Sequence, residues 1–109
     1  MDSYKVIVMP EAEADLVELR NYISETLQSP GTALSYVEAL EREIITLSEM
    51  PARYKPVDEE PWRSRGFRRL IIKNFYVYYR IDESEKQVHI TNVIYTRRDQ
   101  LKALTEKNT

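Results

Sequence analysis

The sequence contains no cysteine. Disulfides, thiol nucleophiles and thiolate metal sites are therefore excluded, and the composition fits a reducing compartment. Glycine is almost as scarce, with two residues, and nothing in the chain resembles a glycine-rich phosphate loop. A single histidine, His89, leaves no zinc-binding pattern and no serine triad with recognisable spacing. Long apolar runs are missing too. The N-terminal run from Val6 to Pro10 gives way to Glu11 and Glu13, too short for a signal peptide or a membrane span. No membrane contact, cofactor or metal is expected, and the expected location is cytoplasmic. With 109 residues the chain has room for one core and one domain, 1–109.

Charge is present in quantity and unevenly placed. The net charge is −2, yet residues 10–50 carry nine acids and two bases, and residues 51–80 carry eight bases and three acids. One part of the molecule is acidic and another basic. A basic face on a weakly acidic protein suits phosphates or an acidic partner. The bases interleave with aromatics: residues 66–81, GFRRLIIKNFYVYYRI, hold four basic and five aromatic side chains.

Periodicity supplies the elements. Residues 4–9, YKVIVM, read as a strand. Pro10 suits the first position of a helix, with Glu11 and Glu13 favouring its dipole. Ala12, Leu16, Leu19, Ile23 and Leu27 form one apolar stripe. The residues SPG at 29–31 break the helix, and Ala33, Val37, Leu40, Ile44 and Leu47 form a second stripe that Pro51 ends. Residues 51–65, with three prolines, read as a loop anchored by Tyr54 and Trp62. Strands follow near 66–72, 75–81 and 87–96, with a two-residue turn at Lys73-Asn74. Residues 97–104 suit a last short helix. The order is β-α-α-β-β-β-(α), an α+β domain with a helical hairpin on one face of a small, mainly antiparallel sheet.

Alternation sorts the sheet into faces. With the turn at 73–74, Leu70, Ile72, Phe75, Val77, Tyr79 and Ile81 share the face under the helices, continued by Val88, Ile90 and Ile94. The opposite face takes Arg69, Ile71, Lys73, Tyr76, Tyr78 and Arg80, then Thr91, Val93, Tyr95 and Arg97. Arg68 falls at the end of the first face, from which it can snorkel outward. The expected core is Leu16, Leu19, Ile23, Val37, Leu40, Ile44, Leu70, Ile72, Val77 and Ile90. The second face reads either as a solvated sheet surface with cross-strand aromatic pairs or as a site for phosphates and bases. His89 shares strand parity with Arg97 but stands roughly 26 Å from it along an extended strand, so the two do not act on one bond. The acids Asp58, Glu59 and Glu60 read as a solvated loop cluster.

This order of elements and these segments resemble the toxins of the RelE/ParE superfamily, found in bacterial type II toxin–antitoxin (plasmid stabilisation or addiction) modules. The similarity runs from Tyr4 to about Leu101. It includes PEAEADL at 10–16, FRRLIIKNFYVYYRID at 67–82 and VIYTRRD at 93–99. The resemblance implies a growth-inhibiting toxin neutralised by a cognate antitoxin. Within the superfamily, RelE-like members cut mRNA in the ribosomal A site without a metal, whereas ParE-like members poison DNA gyrase by binding. Arg97 matches the arginine after the last strand in both branches, and Arg69 lies where a RelE-like lysine falls. If the chain is a nuclease, Arg69, Tyr95 and Arg97 are the expected catalytic group. Tyr76, however, stands where the RelE-like arginine of the middle strand belongs, and Ala103 stands near the place of the final tyrosine. Arg68, Tyr79-Arg80 and the Arg97–Asp99 spacing follow the ParE pattern, with Tyr95 where that branch often has histidine. Contacts to target or antitoxin then fall to Arg68, Lys73, Tyr76, Tyr78, Arg80 and Arg98. Losing one cation from a phosphoryl-transfer site commonly costs about 100-fold. Gyrase poisoning is the preferred expectation. The alternatives are a metal-independent, ribosome-dependent mRNA endoribonuclease and a degenerate toxin that only binds its antitoxin.

Overall fold

The computed structural model describes residues 3–96. The expected last helix, with Arg97 and Arg98, lies outside the described residues. Strand β1 (Lys5–Val8) leads into helices α1 (Pro10–Leu27) and α2 (Pro30–Ile45), followed by strands β2 (Arg68–Ile72), β3 (Phe75–Asp82) and β4 (Gln87–Tyr95). The sheet order is β1-β4-β3-β2, antiparallel except that β1 runs parallel to β4. The expected α+β order is therefore present, and β1 takes the edge beside the last strand.

Local chemistry sets the helix ends. Met9 is extended before Pro10, and Glu11 and Glu13 occupy the first turn of α1. Gln28, in the left-handed region at φ 51°, ends α1, and the Ser29 N–H donates back to Ser24 O at 3.1 Å. Ser29 then caps α2: its Oγ accepts from Thr32 N at 3.4 Å, and Pro30 takes the first helical position. The expected break at 29–31 is thus mostly the start of α2, and the turn itself is made at Gln28.

Helix α2 stops at Ile45, earlier than Pro51, and gives way to short 3-10 turns at Thr46–Ser48 and Pro51–Arg53. Arg53 gathers the loose carbonyls. Its Nη1 donates to Glu49 O at 2.5 Å and to Met50 O at 3.2 Å, and its Nη2 donates to Thr46 Oγ1 at 2.8 Å.

The two apolar stripes meet the inner face of the sheet. Leu16, Leu19, Ile23, Val37, Leu40 and Ile44 are buried from the helices, and Leu70, Val77 and Ile90 from the strands. Ile72, expected in this set, is partly buried at the end of β2 and packs against the core. Tyr79 is the largest fully buried side chain, and its hydroxyl donates to Pro51 O at 2.6 Å. Arg68 donates from Nη1 to Tyr54 O at 2.6 Å. These two bonds pin the start of the 51–67 loop to the helix side of the sheet. Tyr54 packs against the core as expected, but Trp62 is 50% exposed and does not anchor the loop by burial.

Burial pushes the Tyr79 phenol up to about 12, more than the nearby Arg68 and Arg53 pull it down. In the unfolded chain the same group ionises near 10. Its contribution to stability is complete below about pH 10 and is lost as pH rises towards about 12. Tyr79→Phe is expected to cost about 1 kcal/mol at neutral pH, through the orphaned Pro51 carbonyl. The stability gap between wild type and variant is expected to close between about pH 10 and 12. Chemical denaturation across that range checks it, and a gap unchanged with pH refutes the role given to this hydroxyl.

Candidate functional site: the outer sheet face

The hairpin register places Ile72 opposite Phe75, Leu70 opposite Val77 and Arg69 opposite Tyr78. Arg69, Ile71, Tyr76, Tyr78 and Arg80 therefore lie on the face away from the helices, as alternation requires. Ile71 is 55% exposed there. The Arg69 guanidinium carbon sits 4.6 Å from the Tyr76 ring centroid, and Tyr76 meets Tyr78 edge-on at 6.5 Å. The Tyr78 hydroxyl is the main influence raising the Arg69 pKa above the ordinary arginine value, with smaller contributions from Tyr76 and Glu59. Arg80 lies 5.4 Å over the Phe67 ring and pairs in register with His89, whose Nε2 is 2.9 Å from Gln87 Oε1.

The last strand corrects the expected faces. Tyr78 pairs with Asn92 but Tyr79 pairs with Ile90, so Thr91 is an extra residue, a β-bulge. Beyond it every side chain changes side. Val93 is buried in the core, and Tyr95 stacks on Phe75 at 4.9 Å and meets Tyr22 edge-on at 6.2 Å. Both were expected on the outer face. Ile94, expected in the core, lies on the outer face in register with Tyr76.

The bulge is held from both sides. Thr91 Oγ1 donates to Tyr78 O at 3.2 Å, and Asp15 Oδ2 of α1 accepts from Val93 N at 2.9 Å. Strand β1 pairs with β4 only up to Ile90, so the Val93 amide has no strand partner on that side, and Asp15 replaces it.

The structure thus brings Arg69, Tyr76, Tyr78 and Arg80 together and separates Tyr95 from them by the thickness of the sheet. Arg68 does not join the outer group, because its guanidinium holds the Tyr54 and Ala52 carbonyls. Lys73 is exposed at the hairpin tip with φ 51°. Arg97 and Arg98 lie outside the described residues. Sequence reasoning missed the loop that folds over this face. Val57 N donates to Phe67 O at 3.0 Å, closing the loop's base. Val57, Trp62 and Phe67 then face Tyr78, Asn92 and Ile94 across a cleft of about 290 Å³, with Glu59 also in its wall. The prolines and Trp62 signalled a loop, but not the face it covers.

The architecture is two helices on one side of a four-stranded sheet with a cationic, aromatic face on the other. A family model described as the ParE toxin of the parDE type II toxin–antitoxin system matches residues 6–100, and the chain belongs to that family. Solved structures share the fold. The RelBE2 toxin–antitoxin complex of Mycobacterium tuberculosis superposes with a TM-score of 0.63 at 24% identity, covering 85% of this chain and 98% of the other. The chromosomal ParDE system of P. aeruginosa gives 0.71 at 19% identity, covering 87% and 98%. No curated relative matches at a significant level. Among the described residues no helix is long and apolar enough to cross a membrane.

Asp15→Ala is expected to destabilise by about 1–3 kcal/mol, because it leaves the Val93 amide without an acceptor. Asp15→Asn keeps an acceptor oxygen and is expected to cost less. Urea unfolding measures both costs, and hydrogen exchange at the Val93 amide reports the bond. Equal stability of the two variants with an undisturbed Val93 amide would show that Asp15 does not hold the bulge.

Proposed function

We infer that this toxin stops growth by binding and poisoning DNA gyrase, and that a cognate antitoxin neutralises it. The observation that carries the reading is the turn of β4 at Thr91. It places Tyr95 against Phe75 on the helix side, away from Arg69. Cleavage of RNA by the 2′-hydroxyl needs a proton carrier at the attacking oxygen and fixed cations at the developing phosphorane. On the outer face the position of the RelE-like arginine is held by Tyr76, a phenol in place of a guanidinium, itself covered by Arg69. A face of two arginines and two edge-on tyrosines has the composition of a protein-binding hot spot. The antitoxin segment that fits it is acidic and partly apolar, disordered alone, laid on this face or added to the edge strand β2.

The test is induction in a bacterium with parallel mapping of mRNA 5′ ends and of gyrase-linked DNA breaks. Gyrase-linked breaks without new mRNA ends are expected. Arg80→Glu and Arg69→Glu are each expected to reduce toxicity at least about tenfold, since charge reversal in an interface opposes the partner's field. Abundant cleavage within translated mRNA would overturn the gyrase reading. It would assign the chemistry to Arg69, Lys73 and the residues after Thr96.

A further inference from the structure

The cleft between the 57–67 loop and the outer sheet face has a composition that gyrase binding does not require. Three of its walls are aromatic: Trp62 and Phe67 from the loop and Tyr78 from β3. Besides the Tyr78 hydroxyl, the polar residues of its lining are Glu59 and Asn92. Its volume of about 290 Å³ falls just below the range for small-ligand sites, which is roughly 300–1,000 Å³. Two arginines stand outside the lining, each against one of its aromatic residues. Arg80 lies 5.4 Å over the Phe67 ring, and Arg69 stands opposite Tyr78 in the sheet register. Neither arginine makes an ion pair among the described residues, although the Glu59 carboxylate acts on Arg69 through space.

These features converge on one ligand chemistry. Flat aromatic walls accept a planar ring by stacking, which is worth about 1–3 kcal/mol per base in nucleic-acid complexes. A carboxylate only accepts, so Glu59 selects a ring edge with adjacent N–H donors. Among the common bases only guanine offers two neighbouring donors, N1–H and the N2 amine, for bidentate contact. Uracil offers one donor between two carbonyls, which a carboxylate repels. Asn92 can donate to the guanine O6 beside those donors. Arginine at the mouth matches a phosphate by geometry as well as by charge.

We propose that this cleft is a guanine-nucleotide site, with the base among Trp62, Phe67 and Tyr78, its Watson–Crick edge on Glu59, and its phosphate on Arg80 and Arg69. The nucleotide is either free or one residue of a single strand, and the chemistry of the cleft is the same for both. The site shares Arg69 and Arg80 with the face proposed to bind gyrase, yet the two readings fail separately: absence of mRNA cleavage does not remove the site, and absence of nucleotide binding leaves gyrase poisoning intact.

Trp62 is the only tryptophan in the chain, so its fluorescence reports directly on the cleft. Purified toxin is titrated with GMP, UMP, guanosine and the RNA trinucleotide UGU, with free tryptophan as the control for ligand absorption. GMP is expected to quench saturably and at least about tenfold more tightly than UMP, the discrimination of one good bidentate base contact. Glu59→Gln is expected to erase most of that preference. Arg80→Gln is expected to weaken GMP several-fold while leaving guanosine unchanged, which separates phosphate contact from base contact. Glu59 and Arg80 are exposed, and an unchanged thermal midpoint verifies that each variant is folded. Tighter binding of UGU than of GMP supports a base within a strand, and equal or tighter binding of GMP supports a free nucleotide. No saturable quenching by GMP or UGU, equal affinity for GMP and UMP, or a Glu59→Gln variant that changes all ligands alike overturns the proposal.

Discussion

One extra residue, Thr91, decides which side chains of β4 meet solvent and which meet the helices. A strand's side chains alternate strictly, so a single insertion exchanges the faces of everything beyond it. Before the bulge, Val88 and Ile90 point into the core; after it, Val93 and Tyr95 do. The inserted residue leaves backbone groups that need partners. The hydroxyl of Thr91 supplies one to Tyr78 O, and the carboxylate of Asp15 supplies one to Val93 N–H. The second bond crosses from α1 to the sheet, so the placement of the helical hairpin and the register of β4 are mutually dependent. The same bond explains why an acid sits one residue before the buried Leu16 on a helix whose other acids, Glu11, Glu13, Glu18 and Glu25, are exposed.

The bulge also shapes the outer face. Turning Val93 and Tyr95 inward brings Asn92 and Ile94 outward, where they form the floor of the cleft under the 57–67 loop. That loop starts on the opposite side of the sheet. Its beginning is fixed there by Tyr79 to Pro51 O and by Arg68 to Tyr54 O, and it must cross the β2 edge to reach Tyr78. Phe67, closing the loop, carries Arg80 on its ring. The inner core and the outer cationic face are thus linked through two bonds to backbone carbonyls.

Much of this was legible from residue order. The stripes Ala12, Leu16, Leu19, Ile23 and Ala33, Val37, Leu40, Ile44 follow the helical period, and all eight residues are buried. The two-residue turn at Lys73-Asn74 set the β2–β3 register correctly, because it alone puts Leu70, Ile72, Phe75, Val77 and Tyr79 on one face with Arg69 and Arg80 on the other. The faces of β4 were not legible. Thr91 and Asn92 are both polar, and either can end one alternation and begin another. The acceptor that holds the bulge lies 78 residues away at Asp15, beyond the reach of any local pattern. The cleft escaped notice for a related reason: three prolines identify a loop, but its path depends on Tyr79 and Arg68, which were read as a core residue and a surface cation.

Placement of charge follows from the same layering. The acid-rich segment, residues 10–50, forms the helices on one side of the sheet, and the basic residues Arg69 and Arg80 stand on the other. Net charge is small, so the molecule behaves in solution as a dipole across a thin sheet. Fields of exposed charges fall off over a Debye length of about 8–10 Å near physiological salt. An approaching polyanion or acidic segment at the outer face therefore feels the arginines together with Glu59 of the cleft wall, with the acidic helices screened behind the core. The cations there rest on aromatic rings, Arg69 on Tyr76 and Arg80 on Phe67. Rings restrict the guanidinium groups without neutralising them, whereas carboxylate partners would cancel the field. A face built this way keeps its charge available and pre-positioned, which lowers the ordering cost of any anionic partner that docks on it.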